Sequence, residues 1–254
     1  MLDFSILKLE ESVGNATENA TCSTIFGEAL ILQPHGIVCN KEGMRGYNCW
    51  LNFDFGGNMV KIETRRLILR EFEDEDWASV HEYAKDPEVS KYMEWGPNTE
   101  KETRNFVKGA RHFRRDDPRR HYELAICQKE DKRLIGGCGL TIFDAPLKQA
   151  ALGYTLHRNY WNQGIASEAA AAMIRYGFEQ LGLHRIHASC DVQNIGSAAV
   201  MKKCGMRQEG HFLEERLIKG KWRDTFLYAI LSSEWRARQV LKNLSAERGS
   251  GDAK

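Results

Sequence analysis

From residue 59 onward the sequence predicts an α/β (α+β) domain built on a mixed, mostly antiparallel sheet. Three observations carry that expectation. Segments of strand and helix character follow one another through the whole stretch. Three consecutive strand-like runs, Tyr122 to Cys127, Leu134 to Ile142 and Ala150 to Leu156, are joined by connections short enough for antiparallel hairpins. The third run passes through a tight turn with one glycine into an alanine-rich helix.

The elements follow in order. Leu67 to Glu71 reads as a strand. Asp74 to Tyr83 reads as a helix whose first turn holds Asp74, Glu75 and Asp76, where acids suit the helix dipole. Thr99 and Glu102 have capping-box spacing for a second helix reaching about Arg114, and Asp116-Asp117-Pro118 ends it. After the three hairpin-linked strands come the turn and a helix over Ser167 to Gln180. Arg185 to Asp191 reads as a strand and Ser197 to Lys203 as a short helix. Met206 to Leu217 and Trp222 to Leu231 read as a final antiparallel pair joined at Lys219-Gly220-Lys221. Ser232 to Asn243 closes the domain as a helix, and residues 244–254 read as a flexible tail.

Residues 1–58 have a different character, with poor periodicity and abundant Gly, Asn, Cys and Ser. They read as a poorly structured N-terminal extension joined by Phe55-Gly56-Gly57-Asn58, which has linker composition. Met59 is then a natural start, with the upstream residues an added extension or the product of a start placed too far upstream. The opposing reading is a small regulatory segment.

Composition narrows the function classes. In 254 residues, 36 Lys and Arg balance 35 Asp and Glu, so no general attraction to nucleic acid or membrane is expected. The basic clusters Arg111-His112-Phe113-Arg114-Arg115 and Arg119-Arg120-His121 read as a solvated helix end and loop. No apolar run approaches the length of a membrane span. Seven cysteines without a Cys-x-x-Cys pair predict reduced thiols and a cytoplasmic setting. Met1 to Glu10 lacks the basic start of a secretory signal, so the sequons at Asn15 and Asn19 are read as coincidence. No His/Cys/Asp cluster has ligand spacing, and no metal is expected.

The most informative stretch is Gly153 to Ala169. A turn at a helix N-terminus offers successive backbone N–H groups and the positive end of a dipole, which together suit an anion. Gly164 lets a phosphate approach where a Cβ would obstruct it. No Gly-x-x-x-x-Gly-Lys run is present, and Gly136-Gly137-Cys138-Gly139 lacks dinucleotide-fingerprint spacing.

Trp161-Asn162-Gln163-Gly164-Ile165-Ala166 resembles the (Arg/Gln)-x-x-Gly-x-(Gly/Ala) loop of the GNAT superfamily of acetyl-CoA-dependent N-acetyltransferases. Trp161 departs from that pattern, standing where Arg or Gln is usual. Thr64-Arg65-Arg66-Leu67-Ile68-Leu69-Arg70 resembles the first strand of the RimJ/RimL-like branch, which acts on ribosomal-protein N-termini. Asn194-Ile195-Gly196-Ser197 with Lys203-Cys204-Gly205-Met206 resembles its Asn-x-x-Ser…Lys-x-Gly-Phe motif. Gly220-Lys221-Trp222-Arg223-Asp224 and Ser233-Glu234-Trp235 resemble its closing strands and tail. The likeness covers about Met59 to Arg238, within an expected domain of residues 59–243.

The resemblance implies a GNAT fold: a twisted sheet flanked by helices, with two strands splayed where acetyl-CoA enters. It implies that backbone N–H groups of Gln163, Gly164, Ile165, Ala166 and Ser167 hold the pyrophosphate. The backbone of Tyr154, Thr155 and Leu156 would pair with the pantetheine arm, and the Asn194 amide would assist. Ser197 is the candidate general acid for the departing sulfur. Many relatives carry an acid just before the Gly-Tyr of the arm-binding strand, but Ala151 stands there, so the general base stays open. Glu94, Glu123 and His157 are candidates by position only. Cys190 reads as a buried small residue. Tyr92-Met93-Glu94-Trp95-Gly96-Pro97 resembles the loop bordering the acceptor groove, where Trp95 and Glu94 are suited to embrace a cationic amine.

The expected activity is therefore acetyl transfer from acetyl-CoA to a primary amine by direct attack in a ternary complex. The acceptor is either a protein N-terminal α-amine or a small-molecule amine, and the protein a monomer or homodimer. The alternatives are a non-catalytic acetyl-CoA-binding sensor or interaction module, and a nucleotide-binding regulator that prefers ATP.

Overall fold

The computed structural model describes residues 59–251; the N-terminal extension expected over 1–58 lies outside the described residues, as do 252–254. The strands are β1 (Lys61–Glu63), β2 (Leu67–Glu71), β3 (His121–Gln128), β4 (Leu134–Asp144), β5 (Gln149–Leu156), β6 (Arg185–Asp191), β7 (Arg207–Ile218) and β8 (Lys221–Leu231). The helices are α1 (Trp77–Ala84), α2 (Glu100–Phe113), α3 (Ile165–Glu179), α4 (Ile195–Lys203) and α5 (Ser232–Gly251). α5 runs past the Asn243 end read from the sequence.

Local chemistry explains the elements. β2 buries Leu67, Leu69 and Glu71 on one face, as period-two alternation requires. α2 begins in a complete capping box: the Thr99 hydroxyl accepts from the Glu102 N–H (3.3 Å), and the Glu102 carboxylate accepts from the Thr99 N–H (2.8 Å). The α1 region differs from expectation. Asp74–Asp76 forms a 3-10 turn, and the α-helix starts only at Trp77. The Asp76 carboxylate is held by the Glu73 N–H (2.8 Å) and by Arg70 (2.7 Å), which tightens this first turn onto β2.

The strands form one sheet in the order β1-β2-β3-β4-β5-β6-β8-β7. Every neighbouring pair is antiparallel except β5 with β6. Both faces of its centre are covered. Phe72, Val80, Tyr83, Val107, Ala125 and Cys127 build a core beneath α1 and α2. Leu124, Ile126, Leu140, Leu152, Ile165 and Met173 build the larger core beneath α3. Strands covered on both sides become continuous apolar runs, and Glu123 to Cys127 is buried at every position.

One ion pair is built into this packing. Arg119, from the expected solvated cluster, is instead buried and pairs with Glu71 (2.9 Å), and its guanidinium lies over Tyr122 (4.5 Å). Glu71 also accepts from the Val60 N–H (3.1 Å), which ties the entry to β1 to the same site. Arg111 pairs with Asp74. No helix among the described residues is long and apolar enough to cross a membrane.

Removing one partner of a buried pair strands the other charge. Arg119→Met is therefore expected to destabilise the protein by about 3–5 kcal/mol, read as a lower urea midpoint in equilibrium unfolding of the full chain. An unchanged midpoint would show that water reaches Glu71.

Candidate active site

β5 and β6 pair for only three residues: Gln149 with Arg185, Ala150 with Ile186, and Ala151 with His187. Beyond that point β5 stays paired with β4 up to Leu156, and β6 stays paired with β8 up to Asp191. The two strands therefore part, and the facing edges from Leu152 and from Ala188 onward have no ladder between them. A cleft open to solvent occupies this parting. Gly153, Tyr154 and Thr155 line one side of it, and Ser189, Asn194 and Ser197 the other. It also reaches the α1 and α2 side of the sheet, where Val80, Tyr83, Met93, Trp95 and Phe106 form its walls.

At the neck of the cleft, the Tyr154 hydroxyl lies 2.9 Å from the Ser197 Oγ and donates to the Ser197 carbonyl oxygen (3.1 Å). Burial pushes the Tyr154 phenol well above its ordinary pKa. Ser197 sits in the first turn of α4. The cap is Asn194, whose Oδ1 accepts from the Ser197 N–H (3.1 Å). Asn194 thus lines the cleft and caps the helix together. Asp191, at the end of β6, accepts from the Gln193 N–H (2.7 Å) and pairs with Arg223 (2.7 Å), which fixes the bend that leads to Asn194.

The turn after β5 has the geometry an anion needs. Gly164 is the N-cap of α3 at φ 72°, in the left-handed region that favours glycine. The first helical hydrogen bond runs from the Glu168 N–H to the Gly164 carbonyl (3.0 Å). The N–H groups of Ile165, Ala166 and Ser167 precede it and point out of the helix end. Trp161, the departure from the motif, donates its indole N–H to the Leu156 carbonyl (2.8 Å), and Gln163 donates its side-chain amide to the Asn159 carbonyl (2.9 Å). The turn is folded back onto the end of β5.

Arg66 completes this turn, and the motif comparison missed it. Its Nη1 donates to the Gln163 carbonyl (3.0 Å) and its Nε to Glu168 (2.7 Å). Its Nη2 lies 3.7 Å from where a Gly164 Cβ would stand. Glu168 also accepts from Thr64 Oγ1 (2.6 Å) and the Arg66 N–H (2.9 Å). Burial alone would raise the Glu168 pKa, but these hydrogen bonds outweigh it and hold the carboxyl below its ordinary value. A carboxylate in the first turn of α3 would repel an anion, and Arg66 neutralises it.

The candidates for general base separate clearly. The His157 Nδ1 accepts from the Asn159 N–H (3.2 Å) at the far end of β5, away from the cleft. The Glu94 carboxylate pairs with Arg216 (3.0 Å), and of Glu94 and Trp95 it is Trp95 that lines the cleft. Cys190 is 1% exposed, and burial pushes its thiol up to about 11. Glu123 lines the cleft and is 8% exposed. It stands opposite Gly139 on β4, which stands opposite Gly153 on β5. A Cβ on Gly139 would lie 2.5 Å from Glu123 Oε2 and 2.7 Å from the Tyr122 carbonyl oxygen, so only glycine leaves the hollow this carboxyl occupies. Burial pushes its pKa up to about 8. No group of three or more His, Cys, Asp or Glu among the described residues is placed to hold a metal ion.

A strand parting beside an anion-binding turn defines a class of acyl-group transferases, and the comparisons place the chain within it. Residues 66–207 match the acetyltransferase (GNAT) domain model, and the chain belongs to that family. It is 39% identical over 177 residues to uncharacterized N-acetyltransferase YnaD of Bacillus subtilis (strain 168), spanning 69% of this chain and 99% of that protein. The crystal structure of an acetyltransferase (GNAT family) from Bacillus anthracis superposes with a TM-score of 0.62 at 36% identity, over 69% of this chain and all of the other. The [ribosomal protein uS5]-alanine N-acetyltransferase of Escherichia coli (strain K12) is 26% identical over 69% of this chain and 93% of its own length. The chain is thus an N-acetyltransferase of the GNAT family, with relatives of the RimJ/RimL-like kind.

The raised Glu123 pKa has a consequence for stability. Between about pH 4.5, where an unfolded glutamate loses its proton, and about pH 8, the folded chain binds the extra proton. Stability from this group is full below that window and is lost as pH rises through about 8. Glu123→Gln cannot ionise, so its melting temperature relative to the native protein should rise by a few degrees between about pH 5 and pH 9. A constant difference across that range would show an ordinary carboxyl.

Proposed function

We propose that this enzyme transfers an acetyl group from acetyl-CoA to a primary amine by direct attack within a ternary complex. The observation that carries the reading is the cleft at the β5–β6 parting, with the anion-binding turn after β5 and the Ser197–Tyr154 hydroxyl pair at its neck. When bound, acetyl-CoA supplies a thioester whose acetyl carbon the amine attacks.

The residues fit that cofactor. Three outward N–H groups at Ile165, Ala166 and Ser167, with Gln163 and Gly164 before them, suit a pyrophosphate. Arg66 adds a guanidinium beside Gly164 and so supplies the cation that the motif lacks at Trp161. The free edge of Tyr154, Thr155 and Leu156 suits an amide-bearing arm added as a strand. The Leu156 carbonyl is already taken by Trp161, so the arm pairs nearer Tyr154. The Asn194 side-chain NH₂ remains a donor for the same arm once its oxygen has capped α4.

In this reading Ser197 is the general acid. Its hydroxyl is 2.9 Å from that of Tyr154, so a proton given to the departing sulfur can be replaced through Tyr154. The acceptor is a primary amine of a protein N-terminus or of a small molecule. The Escherichia coli relative, named for a ribosomal-protein alanine, supports the first.

Two substitutions test the assignment. Gly164→Glu sets bulk and negative charge at the turn and should abolish acetyl-CoA binding measured by calorimetry; unchanged affinity would remove the turn from the cofactor site. Ser197→Ala should lower kcat by about 10²-fold while the acetyl-CoA Kd stays within about twofold. Normal turnover would leave Ser197 only its place in the first turn of α4.

A further inference from the structure

Glu123 carries chemistry that no motif assigns. It is a carboxyl buried beneath α1 and α2, and it lines the cleft. No cation pairs with it among the ion pairs of the described residues, although buried carboxylates are ordinarily paired. The one buried Lys or Arg among the described residues, Arg119, pairs with Glu71. Two glycines, Gly137 and Gly139, keep space for the carboxyl against the sheet. The row Glu123–Gly139–Gly153 crosses the sheet to the lip of the parting, because β5 pairs with β6 only as far as Ala151. Gly139 and Gly153 put no side chain in the way.

The two faces of the sheet also divide the labour. Tyr154 packs with the α3 side and reaches Ser197 on α4. Glu123 shares its face with Ala125 and Cys127, the side covered by α1 and α2. The parting joins the two sides. On the Glu123 side Val80, Tyr83, Ala84, Met93, Trp95 and Phe106 form apolar walls with Asn98 among them, and among the described residues Glu123 is the one acid lining the cleft. A polyamine brings several cations and needs several carboxylates. This chamber matches one ammonium carried on an apolar body.

We propose that Glu123 receives the acceptor and takes its proton, and that the acceptor is a monoamine whose remaining surface is apolar. The inference rests on the acetyl-transfer reading above. The proton balance is complete. On capture of the ammonium the resting Glu123 carboxyl releases its proton to solvent; the ammonium then gives one proton to the carboxylate, which returns to its resting protonated form. The neutral amine forms the new C–N bond as the C–S bond breaks; Ser197 gives the departing sulfur its proton, so CoA leaves as a thiol, and the proton shed by the new amide nitrogen restores the Ser197–Tyr154 hydroxyl pair. Glu123 thereby fills, from two strands away, the role left open at Ala151.

The experiment uses the full-length protein saturated with CoA. Phenylethylamine, phenylalaninamide and spermidine are titrated by calorimetry near pH 7 in buffers of different ionisation enthalpy. In the native protein Glu123 is protonated in the empty chamber, so capture of an ammonium should release about one proton. Glu123→Gln should release none and bind at least tenfold more weakly, with its CoA affinity unchanged. In turnover with acetyl-CoA the variant should lose about 10²-fold in kcat/KM and the rise with pH near 8. Tighter binding of either monoamine than of spermidine supports the acceptor class, and the tighter of the two separates a small amine from a residue α-amine. Preference for spermidine, binding of none of the three, or equal proton release in the variant overturns the inference. Failure of the native protein to bind CoA overturns the acetyl-transfer reading instead.

Discussion

The structure turns on the unequal pairing of the two edges of β6. The edge facing its antiparallel neighbour is paired throughout, and the edge facing its parallel neighbour only at the start. β8 pairs with β6 from Arg185 to Asp191, whereas β5 holds only Arg185 to His187. Sheet twist then separates β5 from a strand that is pinned elsewhere. Each unpaired backbone group along the gap must find water, a side chain or a ligand. Part of that demand is met within the protein: Trp161 takes the Leu156 carbonyl, and Tyr154 bridges to Ser197. The rest is the binding capacity of the cleft. The site is thus a defect in the sheet held open by pairing on either side of it.

Holding the defect open takes contacts at both ends. At one, Arg223 and Asp191 fix the exit of β6, and Arg216 links Glu94 to Ser189 at the cleft wall (3.0 and 3.4 Å). Lys219, in the β7–β8 turn, donates to the Ser90 carbonyl (2.6 Å), so the hairpin leans on the loop after α1. At the other, the β1–β2 turn reaches α3 through Thr64 and Arg66. These are partly exposed contacts of modest individual worth. Their value is geometric, because the ligand groups they orient sit on loops and helix ends.

The sequence disclosed most of this where a local pattern carried the information. β2 and β6 have the bounds that periodicity predicts, and the Thr99–Glu102 box marks the start of α2. β1 went unseen as an element because three residues leave too little alternation to read. Arg66 was invisible as a site residue, and Glu123 was a candidate by position only, for a different reason. Arg66 meets Gln163 and Glu168 about a hundred positions away. Glu123 owes its environment to glycines on another strand. A buried apolar run containing one acid reads as a strand with a surface position. Only the two-sided cover of β3 makes that acid a buried one. Glu94 shows a different limit: its loop borders the cleft through Trp95, while its own carboxylate pairs with Arg216 from the far end of the sheet, a partner no local pattern announces.

The same logic explains why one position of a motif can change without loss of the device. A basic residue at Trp161 would act on the turn from within it. Here the indole anchors the turn to β5, and the positive charge arrives on Arg66 from β1–β2. Electrostatics requires a cation near the helix end and is indifferent to which segment brings it. Glu168 makes the arrangement stricter, because its carboxylate lies in the first turn of α3 and needs neutralising before an anion is welcome. A single guanidinium meets both demands, with Nε on Glu168 and Nη2 beside Gly164. The exchange holds only while the β1–β2 turn stays docked on α3. The proposed anion site therefore depends on the strand at the opposite edge of the sheet from β7 as much as on the loop that bears its motif.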